Sequence, residues 1–185
     1  MKLLTAANVK TLKGESLGYM TAILHLAPAR LSGFNTCPMA SKGCAAACLN
    51  TSGRGRFTRT QEARIRKTRE FFNTREQFMA LLVKDILALV RKSAREGLTP
   101  VIRLNGTSDI RWENEPVIRA GVEFPNVMEA FPDIHFYDYT KLPNRRNLPA
   151  NYSLTFSRAE HNEAHALAEL NAGHNVSVVF RKSLP

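Results

Sequence analysis

The sequence predicts an α/β fold, in the form of a partial (β/α) barrel or of a parallel sheet flanked by helices. Segments rich in β-branched and aromatic residues recur along the chain, and helical segments lie between them. Strands that alternate with helices indicate parallel pairing, because each crossover has to pack on a face of the sheet. Polar residues follow most of the strand-like segments, as expected where a functional site lies at the carboxyl ends of parallel strands.

The strand-like segments are short, and the first of them ends at Pro28. From Pro28 to about Thr58 the chain is rich in Gly, Ser, Asn and Pro, which predicts a long loop that contains every cysteine of the chain. Loops of this length in compact domains usually have a function. The predicted strands are 21–27, 100–106, 134–140, 152–157 and 175–181.

The helical segments are of two kinds. The segment 59–72 is strongly basic, whereas the helix after it has apolar residues at three- and four-residue steps, which predict a stripe that faces the core. Thr74 and Gln77 have the spacing of a capping box for this second helix, and Gly97 marks its end. Two more helical segments are predicted, near 125–131 and at 158–173.

Length and composition predict one domain over residues 1–185, large enough to bury a hydrophobic core. The hydrophobic fraction of 44% and the charged fraction of 23% are those of an ordinary soluble globular protein. No apolar run approaches the roughly 20 residues that span a bilayer, and the N-terminal segment turns polar too early for a signal peptide. We therefore expect a cytoplasmic protein with no membrane partner.

All three cysteines lie in one stretch, CPMASKGCAAACLN, with the spacing C-x6-C-x3-C: Cys37, Cys44 and Cys48. An odd number of thiols in a reducing compartment argues against a disulfide framework and favours a metal. Thiolates select zinc, copper(I) or iron–sulfur clusters, and a cubane cluster held by three thiolates leaves one iron open. We expect a [4Fe-4S] cluster. The alternatives are unligated thiols and zinc, which would need a fourth ligand from elsewhere in the fold.

The net charge of +10 is concentrated between Arg54 and Arg69, where seven cations face one carboxylate. Such a density favours a polyanion, a phosphate or a carboxylate as partner, and a solvated helix surface is the alternative. The candidate anion-binding residues in this stretch are Arg54, Arg56, Arg64 and Lys67. A nucleotide or a nucleic acid is therefore the expected partner.

Polar residues after the second and third strands are the candidates for catalysis. They are Asn105 and Asp109 after the second strand, and Asp138 and Lys141 at the end of the third. Each has a plainer alternative. Asp109 could cap a turn, and Asn105 could satisfy backbone groups. Asp138 could simply face one side of its strand and pair with Lys141.

Two further residues are candidates for binding anionic groups of a substrate. Arg103 lies inside a predicted strand, where an unpaired charge is costly, so we expect it to meet a carboxylate or an anionic ligand. Ser157 ends the fourth strand and could equally satisfy backbone groups. The last predicted strand ends in Arg181 and Lys182, which add two cations to the same edge.

Four runs of the sequence carry a resemblance to a known family: LSGFNTCPMASKGCAAACLNTSGRGRF, RKTREFF, VIRLNGTSDIRWE and FPDIHFYDYTK. With them the chain resembles, over nearly its whole length, the gene-product-88-like proteins of phages and prophages. The resemblance implies a phage or prophage origin and a bacterial host cell, and it brings no established activity. Members of that family usually continue well past the equivalent of Pro185, so the resemblance implies a C-terminal portion that this chain lacks.

The position of the thiols after the first strand is similar, more distantly, to that in radical S-adenosylmethionine enzymes, which are partial (β/α) barrels. This resemblance implies that the three cysteines hold a [4Fe-4S] cluster whose open iron binds S-adenosylmethionine. That family typically shows C-x3-C-x2-C, and it has Gly-Gly-Glu after the second strand, where Asn105-Gly106-Thr107 stands here. These departures weaken the expectation that S-adenosylmethionine binds more than the expectation that the cysteines hold a cluster.

Three functions are compatible with these patterns. The first is a phage-encoded iron–sulfur enzyme that acts on a nucleotide or a nucleic-acid substrate. The second is a zinc- or cluster-stabilised protein that binds nucleic acid through the basic helix without catalysis. The third, a host-directed interaction protein, has no positive sign in the sequence beyond the small size of the chain.

Overall fold

The computed structural model describes residues 1–6 and 14–180. The strands are β1 Leu4–Thr5, β2 Tyr19–Leu24, β3 Thr99–Arg103, β4 Val117–Arg119, β5 Val122–Phe124, β6 His135–Thr140, β7 Tyr152–Ser157 and β8 Asn175–Ser177. The helices are α1 Lys42–Ala46, α2 Thr58–Asn73, α3 Arg75–Arg95, α4 Val127–Ala130 and α5 Glu163–Asn171. Short 3-10 turns lie at Leu49–Thr51, Gly53–Arg56 and Trp112–Asn114.

The main sheet has the strand order β1-β2-β3-β6-β7-β8. β1 is antiparallel to β2, and every other neighbouring pair in this sheet is parallel. The prediction of a mostly parallel sheet flanked by helices is therefore confirmed. Each crossover leads to the next strand in the same direction, but over residues 1–6 and 14–180 the sheet stays open, with β1 and β8 as its edges. A closed barrel is not formed by these strands.

The long helix α3 contributes six buried side chains to the hydrophobic core, more than any other described element. Its side chains Phe78, Leu82 and Ile86 are fully buried and belong to the same apolar cluster as residues of the sheet. The predicted core-facing stripe of this helix is thus confirmed. After α3 the chain turns at Gly97, whose φ of +65° lies in the left-handed region that favours glycine.

The predicted capping box at Thr74 is wrong. The Thr74 side chain makes no bond to the first turn of α3, and its hydroxyl instead donates to the Glu70 carbonyl at the end of α2. α2 and α3 follow each other so closely that the residue between them serves the C-terminus of one helix rather than the N-terminus of the next. The spacing of Thr74 and Gln77 is therefore not used.

Several other boundaries differ from the prediction. The segment from Pro28 to about Thr58, predicted as one long loop, contains α1 and two of the 3-10 turns. The hairpin β4–β5 was not predicted, and its turn uses Ala120 and Gly121, which both have positive φ. α5 begins at Glu163 rather than at 158, and β8 ends at Ser177; the predicted strand-end residues Arg181 and Lys182 lie outside the described part of the chain.

Side chains of the main sheet alternate between two faces, which we call the covered face and the open face. The covered face packs against α2, α3 and α4 in the hydrophobic core. Most open-face side chains remain half-buried or exposed, although Ile23 and Val101 on this face are buried. The covered face includes Met20, Ala22, Leu24, Ile102, Phe136, Asp138, Thr140, Tyr152, Leu154 and Phe156, and the open face includes Tyr19, Thr21, Ile23, Val101, Arg103, His135, Tyr137, Tyr139, Ser153, Thr155 and Ser157.

None of the helices in the described part of the chain is long and apolar enough to cross a membrane.

Candidate functional site

The turn after β3 is organised by the side chain of Asn105, which is 2% exposed. Its Oδ1 accepts hydrogen bonds from the Ser108 hydroxyl, the Ile110 N–H and the Trp112 indole N–H. Its Nδ2 donates to the Ile110 carbonyl. The structure therefore places this predicted catalytic residue in a positioning role, in which it fixes the shape of the turn at the carboxyl edge of the sheet.

Gly106 allows this turn to lie directly against β2. A Cβ at this position would come within 2.6 Å of the Leu24 carbonyl oxygen and 2.8 Å of His25 Cδ2. The Gly106 N–H donates to that same carbonyl, and the Thr107 hydroxyl donates to the Leu26 carbonyl. The sequence motif Asn-Gly-Thr is thus explained by close backbone contact between two strand ends, with the His25 ring packed beside them.

Asp138 lies at the same edge and is fully buried. Its carboxylate accepts hydrogen bonds from the Asn105 N–H at 2.7 Å and from the Tyr152 hydroxyl at 3.1 Å, and Arg103 Nε lies 3.8 Å away. Burial raises the pKa of Asp138 to about 7, against the opposing effect of these hydrogen bonds and cations. The partner of Asp138 is therefore Arg103, as expected for a charge within a strand, rather than Lys141.

Asp109 joins the turn after β3 to the end of β6. Its carboxylate accepts from the Thr140 hydroxyl and from the Lys141 backbone N–H, both at 2.8 Å. Burial raises the pKa of Asp109, and the two hydrogen bonds oppose that effect. Asp109 is thus not the cap of its own turn, and Lys141 contributes here through its backbone.

A buried ion pair beside these residues was not predicted from the sequence. Arg145, whose side chain is 2% exposed, donates two hydrogen bonds to the Glu113 carboxylate and lies 3.9 Å from Asp109. It also contacts the Tyr152 hydroxyl at 3.4 Å. The two partners lie 32 positions apart in irregular segments, and only the fold brings them together.

Three cationic or titratable side chains meet where β2 and β3 end: His25, Arg64 and Arg103. We call them the cation cluster. Burial, together with the charges of Arg64, Arg103 and Lys67, lowers the pKa of His25 to about 4. Nε of Arg64 and Nε of Arg103 are buried and have no hydrogen-bond acceptor in residues 1–6 and 14–180.

The other predicted anion-binding residues are dispersed. Lys67 donates from Nζ to the Leu3 carbonyl, and burial lowers its pKa to about 8. Arg54 and Arg56 are exposed on the 3-10 turn before α2. Ser157 is on the open face, where its hydroxyl accepts from Ser177. Of the candidates in the basic stretch, Arg64 is the member of the cation cluster, and Lys67 affects the pKa of His25 less than Arg64 does.

The three cysteines are free and half-buried, and they lie on different local elements. Cys37 contacts the Thr107 carbonyl, Cys44 is in α1, and Cys48 accepts the Asn50 N–H at the start of a 3-10 turn. Burial raises the pKa of the Cys37 thiol, and Asp109 and Cys48 are near enough to raise it further. No group of three or more His, Cys, Asp or Glu side chains in the described residues is placed to hold a metal ion.

The cysteine segment is tied to α2 by Asn50 and Gln61. Asn50 is 3% exposed, its amide donates to Gln61 Oε1, and its Oδ1 accepts from Arg64. Gln61 donates in turn to the carbonyls of Asn50 and Gly55. A Cβ on Gly55 would lie 2.6 Å from the Asn50 carbonyl oxygen, so this glycine serves the packing of two turns. Asn50 thus holds one of the two guanidinium groups of the cation cluster.

Comparison with known proteins gives one match. The family model described as gene product 88 matches residues 2–185. No curated protein and no solved structure matches the chain significantly, so the resemblance to radical S-adenosylmethionine enzymes receives no support from these comparisons. The match covers nearly the entire sequence, including the cysteine segment and the turn that begins with Asn105. The chain belongs to the gene product 88 family of phage proteins.

Proposed function

We propose that the chain binds a phosphate-bearing ligand, a nucleotide or a nucleic acid, at the carboxyl edge of its sheet. The observation that carries this proposal is the cation cluster. Arg64 and Arg103 both lie near enough to His25 for their charges to lower its pKa, and each has a buried Nε–H without an acceptor in the described chain. Buried donors without acceptors are unfavourable, and an anion at this place would satisfy both.

Phosphate suits this arrangement better than an isolated carboxylate. Guanidinium groups are planar donors that bind the oxygens of phosphate in pairs, and two of them can share one phosphate group or two neighbouring ones. The basic stretch that contains Arg64 attracts polyanions over a longer range, since it has seven cations and one carboxylate. The carboxyl edge of parallel strands is also the usual position of ligand sites in α/β folds.

A catalytic role for Asn105, Asp109, Asp138 and Lys141 stays a prediction. Asp138 has a pKa of about 7, which suits proton transfer near neutral pH. Its side chain is only 1% exposed, however, and both of its oxygens already accept hydrogen bonds. In the proposed site Asp138 therefore positions Arg103, and it does not contact the ligand.

The proposal is tested with inorganic pyrophosphate as the ligand, measured by isothermal titration calorimetry. Arg64→Gln removes a member of the cation cluster, and Arg59→Gln is the matched control, because it removes the same charge from an exposed position in the first turn of the same helix. We expect Arg64→Gln to weaken binding by about tenfold or more and Arg59→Gln to change it little. Equal effects of the two variants, or no binding by the unmodified protein, would contradict the proposal.

A second candidate function is that of an iron–sulfur protein. It is favoured by three free, half-buried thiols in one segment, two of which, Cys37 and Cys48, interact electrostatically. Three thiolates would hold a [4Fe-4S] cluster with one open iron, and S-adenosylmethionine would bind that iron if the likeness to radical S-adenosylmethionine enzymes and their partial barrel holds. Zinc is the alternative, with a fourth ligand to be supplied. In the described conformation the donors do not form such a site, so the segment with Cys44 has to rearrange.

Metal analysis after anaerobic purification and iron–sulfur reconstitution tests this second candidate. A brown protein with broad visible absorption and iron in stoichiometric amount is the expected result, and Cys44→Ser should reduce the iron content. A colourless protein that contains neither iron nor zinc would rule it out. Because the pyrophosphate experiment does not depend on the metal, the two candidates are tested separately.

A further inference from the structure

The open face of the sheet is unusual for a parallel sheet, since such sheets are normally covered by helices on both sides. Tyr19 is 47% exposed and Tyr139 is 41% exposed, His135 is exposed, and Tyr137 is half-buried. The strand β6 thus directs its two tyrosines outward, and Phe136 and the Asp138 carboxylate inward. Gly14, at the start of the described segment 14–180, lies beside the Thr21 side chain on the β2 side of the open face.

The tyrosines of β6 form a group with Arg103. The Arg103 guanidinium lies over the Tyr139 ring, 4.9 Å from its centroid. Burial raises the pKa of Tyr137, and Arg103 and Tyr139 are both near enough to affect that pKa. The two tyrosines are separated by one residue on the strand, so their side chains leave it on the same side at a spacing of about 7 Å. This group presents two aromatic rings next to a cation.

The open face continues directly into the cation cluster, because Arg103 belongs to both. Beyond the tyrosines, the neighbouring strand β7 contributes the hydroxyl groups of Thr155 and Ser157 to the same face. A ligand on this surface would meet aromatic rings on the sheet and guanidinium groups at its carboxyl edge. Single-stranded nucleic acid has groups that complement both, because its unpaired bases can stack on aromatic rings and its phosphates can pair with guanidinium groups.

We infer that the open face binds single-stranded nucleic acid, whose bases stack on Tyr137 and Tyr139 and whose phosphates contact the cation cluster. The phosphate contacts rest on the function proposed above, and the base stacking is the additional claim. A duplex does not fit, because its bases are stacked inside and cannot lie on a ring. A second copy of the chain would bring another surface of the same sign of charge, given the net charge of +10.

The test compares two probes of equal length by fluorescence anisotropy. One is a fluorescent oligothymidylate of about 15 nucleotides, and the other is an abasic strand with the same backbone. Tyr139→Ala removes a ring from the open face, and Tyr139→Phe is the matched control that keeps it. We expect the protein to bind oligothymidylate about tenfold or more tightly than the abasic strand, and we expect Tyr139→Ala, but not Tyr139→Phe, to remove most of this difference.

The outcomes separate the two claims. If both probes bind with equal affinity and Arg64→Gln weakens both, the phosphate site stands and base stacking is overturned. If neither probe binds, both claims fail. If Tyr139→Ala changes the oligomeric state in size-exclusion chromatography and leaves oligothymidylate affinity unchanged, the face is an interface between copies and the inference is overturned. Circular dichroism and thermal unfolding check that Tyr139→Ala is folded, as expected for a side chain that is 41% exposed.

Discussion

The two faces of the sheet are made by the same strands and have opposite chemistry. On β6, Phe136 packs in the hydrophobic core, while its neighbours His135 and Tyr137 belong to the open face. The covered face is apolar and filled by helices, so its side chains determine stability. The open face is aromatic and polar and only partly buried. Alternate residues of one strand therefore contribute to different properties: the covered ones to stability and the open ones to binding. A substitution on one face should change one property and leave the other nearly unchanged.

The two faces meet at the carboxyl edge, where Asp138 and Arg103 interact. Asp138 is buried with the core, and the Arg103 guanidinium lies over the Tyr139 ring of the open face. A change of charge on Asp138 therefore affects the side chain that would contact the ligand. This edge is the one place where we expect stability and binding to be coupled.

The largest effect should come from a comparison of neighbours on β6. Phe136→Ala opens a cavity in the core and should lower the free energy of unfolding by about 3–5 kcal/mol. His135→Ala changes an exposed residue of the open face and should alter it by less than about 0.5 kcal/mol. Urea denaturation of both variants measures the difference. Similar losses in the two variants would show that the open face is packed as tightly as the covered one.

Asp138→Asn should change how stability depends on pH. The folded-state pKa of Asp138, about 7, lies above the ordinary carboxyl value, so between about pH 4 and 7 the folded protein keeps a proton that the unfolded chain has released. This contribution to stability is largest at low pH and is lost as pH rises through 7. Arg103, Arg145 and Tyr152 surround the carboxyl group and are retained in the variant.

The measurement is the free energy of unfolding of the parent protein and of Asp138→Asn at pH 5 and pH 8. The parent should lose on the order of 3 kcal/mol more than the variant over this interval. Asparagine can still accept from the Asn105 N–H and donate to the Tyr152 oxygen, so the variant is expected to fold. Parallel pH profiles for the two proteins would mean that Asp138 is ionised throughout.

Gly106→Ala tests the contact between the ends of β2 and β3. The added methyl group would meet the Leu24 carbonyl and the His25 ring, which forces a backbone shift with an expected loss of about 1–3 kcal/mol. Gly43→Ala is the control, because its methyl group would meet only the end of the exposed Glu160 side chain, and alanine is favoured in a helix. Thermal unfolding of the two variants measures the difference in stability. Equal stability of the two variants would show that Gly106 is not in tight contact with the end of β2.

His25 provides the smallest and most specific effect. Its pKa of about 4 reflects burial and the neighbouring cations, and a bound anion would offset those cations and raise it. Binding would then take up a proton, so affinity for sulfate, whose charge is constant here, should increase by about tenfold from pH 7.5 to pH 5. Asp138, whose pKa is about 7, titrates in the same interval beside Arg103, and burial also raises the pKa of Asp109, so His25→Gln, which retains both carboxyl groups, is the necessary control. Calorimetry should show a much weaker pH dependence in His25→Gln.

The elements with strong periodicity were predictable from the sequence. The strand at 152–157 was predicted at its observed bounds, and α2 was predicted to within one residue at each end. Regular alternation and apolar stripes are local properties, so they can be read without the fold. The Thr74 capping box was a local pattern as well, but the proximity of two helices gave the side chain a different partner.

The candidate site was only partly predictable, for a physical reason. The sequence identified the edge of the sheet through Asn105, Asp109, Asp138 and Arg103, but it did not reveal that Arg64, from the basic stretch, lies near His25 at that edge. The Arg145–Glu113 pair depends on contacts between distant segments. The open face was hidden because β6 reverses the usual pattern: Asp138 and Thr140 are buried, and Tyr139 is exposed.

The central claim is that the ligand contacts the cation cluster and the open face rather than the exposed basic residues before α2. Backbone amide chemical shifts of ¹⁵N-labelled protein, followed during titration with oligothymidylate, test it most directly. The account predicts the largest changes at His25, Arg103, Tyr137 and Tyr139. Changes confined to Arg54, Arg56 and Arg59, with the sheet unaffected, would contradict it.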